Sequence, residues 1–128
     1  MEKRKMILCD TNVFIGYFRG EASVVAQLEK IGMPNLWLSS ITVAEIYYGM
    51  KKTEKRKTTE MLNLFNVIHF DTLASEKLLH LMLGHLDRKI SLPDAMIAAT
   101  AIVSNARLFT YNRKDFDYIR GIKFYNPK

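Results

Sequence analysis

The stretch ILCDTNVFIGYF, residues 7–18, decides the fold because one periodicity gives way to another inside it. Ile7, Leu8 and Cys9 form an apolar run with the look of a buried strand, whereas Val13, Phe14, Tyr17 and Phe18 recur at helical spacing. Asp10 therefore stands on a strand-to-helix corner. Such an acid has two readings. It can cap the helix that follows, or it can be part of a metal site, and this stretch alone leaves both open.

Working outward, short apolar strands alternate with helices, without a long linker, a repeat or a low-complexity tract. The spacing predicts a strand over 6–9, helices over 11–18 and 21–31, and a strand at Leu36 to Leu38. Helices over 42–50 and 54–66 follow, then a strand from Val67 to Phe70. Asp71 or Thr72 caps a helix running to Leu86, and Ser91 with Pro93 opens another that ends at Asn105. Leu108 with Phe109, and Ile122 to Tyr125, complete four to five strands. Strands this short and apolar, separated by helices, imply an α/β fold with a parallel sheet covered on both faces. Ligands of such sheets bind beyond the carboxyl ends of the strands. Asp10, Asp71 and Asn112 all lie there, so position alone does not choose among them.

A chain of 128 residues, 48% hydrophobic and 25% charged, suits one domain over 1–128 with one core. The apolar run after the basic MEKRK start is shorter than a secretory segment, and no stretch reaches the roughly 20 apolar residues of a membrane span, so a cytoplasmic protein is expected. Cys9, the single cysteine, has no partner for an intramolecular disulfide and no flanking cation to activate it, and reads as a small core residue. The net charge is +6. Much of it is clustered, in Lys3, Arg4 and Lys5 and in KKTEKRK over 51–57, and such runs suit a polyanion as well as they suit a solvated helix face.

The helices narrow the choice of acids. Positions 94, 97, 98, 101 and 102 share one helical face, and all but Asp94 are Ile or Ala, so Asp94 continues an inward stripe at the helix start. An acid there also complements the helix dipole, but facing inward favours a cleft. Glu45, between Ile41 and Tyr48 on a second short helix, would need a cation or a proton if buried. Three acids converging on one cleft repel one another unless a hard divalent ion neutralises them. Mg²⁺ favours oxygen ligands, keeps several waters, and takes further oxygens from a phosphodiester. One or two such ions activate a water for in-line displacement, which makes an acidic site and a basic rim compatible parts of one nuclease.

The segments ILCDTNVFI, SSITVAEIYYG, LPDAMIAATA and LFTYNRKDF resemble, in order and spacing, the four signature blocks of PIN domains, specifically the VapC-like ribonuclease toxins of type II toxin-antitoxin pairs. The segment VIHFDTLASEKL is similar to that family's middle region, and the likeness spans residues 6–116. It implies a three-layer α/β/α fold and a Mg²⁺ or Mn²⁺ site built from Asp10, Glu45, Asp94 and Asp115. Asp10 and Asp94 would be the most direct ligands. Asn12, Thr110 and Asn112 would orient ligands or water. Where the family often has Arg between the Thr and the Asn of its last block, this chain has Tyr111. The implied activity is endoribonucleolytic cleavage by metal-activated water, with Lys51, Lys52, Lys55, Arg56, Arg113 and Lys114 positioning phosphates. The implied partners are RNA, a cognate antitoxin whose tail covers the cleft, and a second copy in a homodimer; no membrane is involved.

Other readings compete for the same residues. A phosphoacceptor domain could use Asp10, Asp71, Thr110 and Lys114, but it lacks a paired acid beside Asp10 and leaves Glu45 and Asp94 without a task. A non-catalytic nucleic-acid-binding domain accounts for the charge alone, and a PIN nuclease for RNA processing or structured DNA keeps the chemistry in another setting. Asp117 competes with Asp115, and the following Phe116 favours the latter. His69, His80 and His85 lack the spacing of a zinc helix, and no glycine pattern makes a phosphate loop.

Overall fold

The computed structural model describes residues 5–127. Lys3 and Arg4 of the amino-terminal basic cluster lie outside the described residues. Five strands, β1 (Ile7–Cys9), β2 (Leu36–Ser39), β3 (Asn66–Ile68), β4 (Arg107–Phe109) and β5 (Lys123–Phe124), form one sheet in the order β3-β2-β1-β4-β5. All four pairings are parallel. The helices α1 (Thr11–Phe18), α2 (Ala22–Ile31), α3 (Ser40–Gly49), α4 (Lys55–Leu62), α5 (Thr72–Gly84) and α6 (Leu92–Ser104) complete the expected α/β/α layers.

The pleat sorts the core into two halves. Ile7 and Cys9 pack with Val13, Phe14, Val24, Leu28 and Leu38, whereas Leu8 packs with Leu78, Leu81, Ala98 and Leu108 on the opposite face. Alternate residues of a strand point to opposite sides, so a run apolar at every position requires cover on both. Helices α1 to α4 cover one face, and α5 with α6 cover the other. Burial pushes the Cys9 thiol well above its ordinary value, which agrees with a packing role.

Several boundaries differ by a residue or more from the sequence periodicity, and three of the changes have a hydrogen bond that accounts for them. Helix α3 begins at Ser40, because the Ser39 hydroxyl accepts the Ile41 N–H at 3.0 Å and supplies the cap. Helix α4 ends at Leu62, four residues early, since Asn66 is claimed by the sheet: its amide donates to the carbonyls of Pro34 and Leu36, both at 3.1 Å. Phe70 leaves β3, and its N–H donates instead to Ser40 Oγ at 3.0 Å. The first change is a local cap, whereas the other two replace a local preference with a longer-range hydrogen bond.

Strand β1 has β2 on one side and β4 on the other, so the chain reverses its direction of advance there. The gap beyond the carboxyl ends of β1 and β4 is the topological switch point, where open α/β sheets hold their ligands. Asp10 and Thr110 are the residues that follow those two strands.

Candidate active site

Asp10 is held from three directions. Its N–H donates to the Phe109 carbonyl at 2.9 Å, its Oδ1 accepts the Thr11 N–H at 2.7 Å, and its Oδ2 accepts the Thr110 hydroxyl at 2.9 Å. Only 7% of the residue is exposed. It caps α1, yet a cap does not require a side chain buried between two strand ends. Thr110 is itself oriented, because its Oγ1 accepts the Asn112 N–H at 3.0 Å and so turns its proton toward Asp10. Thr110→Val removes that donor from a buried carboxylate. The expected result is a loss of about ten- to a hundredfold in divalent-metal affinity, the range seen for residues that orient a ligand, measurable by calorimetric Mn²⁺ titration.

The other three acids come from three further elements. Glu45 on α3 accepts the Thr11 hydroxyl at Oε1, 2.9 Å away. Thr11 Oγ1 also lies 3.3 Å from Thr42 Oγ1, so Thr42 donates to Thr11 while Thr11 donates to Glu45. Thr11 thus serves two acids, with its N–H on Asp10 and its hydroxyl on Glu45. Sequence reading passed over it. The available signal was a hydroxyl residue at the first helical position beside the acid. Asp94 sits in the first turn of α6, whose Ser91 cap accepts the Asp94 N–H at 3.2 Å. Asp115 ends the turn Arg113–Asp115 after β4, and its N–H donates to the Asn112 carbonyl at 3.0 Å.

Asp10 lies in the field of Glu45 and Asp115, and Asp94 in that of Asp10 and Asp115. Burial pushes the Asp10 carboxyl above the usual range against its bonds from Thr110 and Thr11, and the negative charges of Glu45 and Asp115 add to the rise. Burial likewise raises Asp94, against the Ser91 hydroxyl, and Asp10 and Asp115 raise it further. Asp117, two residues on and exposed, contributes to neither. Among the described residues the only salt bridge is Arg56 to Glu60, so none of their cations is paired with these acids.

The donor set suits a hard ion. It consists of carboxylates and hydroxyls with no Cys or His, the chemistry of Mg²⁺ or Mn²⁺. Among the described residues no three or more His, Cys, Asp or Glu side chains are gathered closely enough to hold an ion by themselves.

The remaining predicted residues divide. Asn12 is exposed and Asn112 half-buried, both on segments that carry the site. Lys51, Lys52, Lys55 and Arg56 are exposed on the turn and helix after α3, with Arg56 reaching Glu60 at 3.2 Å. Lys114 lines a cavity together with Asp94 and Asp115. Arg113 points elsewhere: its Nη2 donates to the Tyr125 carbonyl at 2.8 Å and to Asn126 Oδ1 at 2.5 Å, and its guanidinium lies 4.8 Å from the Phe124 ring centre. It ties the turn carrying Asp115 to the chain after β5.

Comparison with known proteins follows the same outline. The chain is 28% identical to the ribonuclease VapC1 of Methanocaldococcus jannaschii over 130 residues, covering 98% of this chain and 90% of that protein. It superposes on a chain of a toxin-antitoxin complex from Klebsiella pneumoniae with a TM-score of 0.75 and 36% identity, over 91% of this chain and 94% of the other. For VapBC2 of Rickettsia felis, bound to a DNA fragment from its promoter, the TM-score is 0.83 and the identity 26%, over 96% and 99% of the two chains. The profile of the PIN domain matches residues 7–122, from the first residue of β1 to the residue before β5, and with the acids at the switch point of that sheet the chain belongs to the PIN domain family.

Proposed function

We propose that this chain is a metal-dependent endoribonuclease of one domain, acting as the toxin of a type II toxin-antitoxin pair. The observation that carries the chemistry is the group of acids from four elements, Asp10, Glu45, Asp94 and Asp115, linked by mutual repulsion and without a pairing cation among the described residues. RNA as substrate is supported by the VapC ribonuclease relatives, and an antitoxin partner by the toxin-antitoxin complexes that share the fold at 26–36% identity.

In this reading Asp10 and Asp94 hold one or two Mg²⁺ or Mn²⁺ ions, with Glu45 and Asp115 binding directly or through water. When bound, the ion supplies Lewis acidity, making water a better nucleophile and offsetting charge on the phosphate. Thr11 and Thr110 keep Glu45 and Asp10 in place as charge accumulates. Asn12 and Asn112 orient water or ligands, and Lys114 with the cations of 51–56 draws the phosphate backbone toward the acids. RNA as substrate supports a cytoplasmic location. No helix among the described residues is long and apolar enough to cross a membrane. Leu79 and Leu83 on α5, and Leu86 just beyond it, leave an exposed apolar stripe that supports protein partners, the antitoxin and a second copy.

The test is cleavage of a labelled single-stranded RNA by the purified chain. Products are expected with Mg²⁺ or Mn²⁺ and not with chelator, without 2′,3′-cyclic phosphate ends, because the nucleophile is water and not the ribose hydroxyl. Cleavage that survives chelation, or cyclic phosphate ends, would refute the mechanism.

A further inference from the structure

The turn between α5 and α6 and the turn after β4 form the two walls of a cavity of about 360 Å³ lined by Arg88, Lys89, Ile90, Ser91, Asp94, Lys114, Asp115 and Tyr118. Sequence reading singled out Asp94, Asp115 and Lys114 from this set, while Arg88, Lys89 and Tyr118 went unnoticed. The cavity holds three cations and two carboxylates, yet among the described residues no ion pair joins them. Held apart, the acids are available to a cation and the cations to an anion, and the ligand class that brings both together is a metal-bound phosphodiester chain.

The wall is built rather than incidental. Lys89 has φ 49°, a left-handed conformation that costs free energy for any residue with a Cβ. That turn sends the next side chain, Ile90, into the core, where it is 8% exposed, and leaves Lys89 at the cavity. The Arg88 guanidinium lies 4.8 Å from the Tyr118 ring centre, and the His85 ring meets Tyr118 edge-on at 5.6 Å. His85 is fixed in turn by its Nδ1 contact with the Leu81 carbonyl at 2.8 Å. An Arg spread over an aromatic ring keeps its N–H edge free for phosphate, and with Tyr118 packed against the core it is the outer face of the exposed guanidinium that offers a planar surface to an unpaired base. The phenol stands within electrostatic reach of Asp94 and Asp115, so this surface adjoins the acids.

We propose that Arg88, Lys89, Lys114 and Tyr118 form a binding site for the single-stranded RNA segment next to the bond that is cut, with the cations on its phosphates and Tyr118 holding the Arg88 guanidinium flat against a base. This rests on the nuclease reading and adds to it the wall that grips the substrate. It places the main grip on the α5–α6 side of the acids, away from the 51–57 run.

The test uses the whole chain carrying Asp94→Asn to prevent cleavage, and a fluorescein-labelled single-stranded RNA of mixed sequence, with anisotropy followed across a salt series. Arg88→Gln with Lys89→Asn, the latter chosen because Asn tolerates left-handed backbone, is expected to weaken binding by about tenfold. It should also flatten the plot of log affinity against log salt by about 0.7 for each phosphate that is no longer neutralised. Tyr118→Leu should cost about tenfold with an unchanged salt slope, and Tyr118→Phe should restore binding. In the cleaving chain, Arg88→Gln should raise KM and leave kcat nearly unchanged, the pattern expected when ground state and transition state are gripped less tightly to the same extent. Melting curves confirm that each variant is folded. If the parent binds RNA and the double variant reproduces its affinity and slope, this site is overturned while the nuclease reading stands. If the unsubstituted chain neither binds nor cuts RNA, the nuclease reading falls and takes this site with it.

Discussion

Asp94→Asn is expected to lower RNA cleavage by about a hundred- to a thousandfold without loosening the fold. The rate loss follows from removing a carboxylate that holds a Lewis acid: metal stabilisation of developing charge is worth several kcal/mol, and each ~1.4 kcal/mol is a factor of ten. The fold survives because Asn has nearly the same volume, and the bond from the Asp94 N–H to Ser91 Oγ involves the main chain and stays. Removing the charge also relieves repulsion with Asp10 and Asp115. Asp10→Asn should behave alike, since Asn can still accept the Thr11 N–H, and the Thr110 hydroxyl can turn to accept from the amide. The check is a steady-state cleavage assay beside a melting curve. A variant that unfolds early would indicate a cap, whereas a folded, inactive one indicates a ligand; near-normal cleavage by either would remove that acid from the site.

The second large effect is on stability, and its sign distinguishes buried, unpaired acids from a solvated cap or a salt-bridged carboxylate. Asp10 and Asp94 both have folded-state values above the reference of 3.8, with burial as the leading cause. The native state therefore holds protons that the unfolded chain has already released. Stability falls as pH rises from about that reference value through the raised folded values, the reverse of a salt-bridged carboxylate. Compared with wild type, metal-free Asp10→Asn and Asp94→Asn should lose less stability between acid and neutral pH and should melt higher at pH 7. Mg²⁺ or Mn²⁺ should make good the deficit in wild type. At a hundredfold excess over its dissociation constant a ligand specific for the native state adds about 2.7 kcal/mol, or on the order of 10 °C in a domain of this size. No rise in melting temperature with either ion, or the same rise in Asp94→Asn as in wild type, would count against the site.

Much of this was legible before folding. The switch from apolar run to helical spacing in residues 7–18 located β1, the corner and α1, because a doubly covered strand has to be apolar at every position. The inward stripe of α6 likewise gave the facing of Asp94. Thr11 was not legible, since nothing in its neighbourhood announces a bond to Glu45, 34 residues away. Nor was the separation of Arg113 from its neighbour Lys114. The two are equivalent as letters, but one is spent on Tyr125, Asn126 and Phe124 while the other lines the cavity with the acids.

What could be read from the order of residues is what depends on neighbours along the chain: the periods of strand and helix, the caps at Asp71 and Ser91, and the presence of four acids in blocks that resemble a nuclease. Folding settled what depends on neighbours in space. It set the strand order that puts β1 between β2 and β4, and it trimmed α4 and β3 through bonds from Asn66 and Phe70 to distant segments. It also put Asp10 in the field of Glu45 and Asp115 and Asp94 in that of Asp10 and Asp115, and it set Arg88, Lys89 and Lys114 beside Asp94 and Asp115 with no ion pair to them among the described residues. The physical reason is range. Propensity and periodicity act over a few residues, whereas charge and packing act over ångströms, and Asp10 meets Thr110 across 100 residues of sequence and 2.9 Å of space.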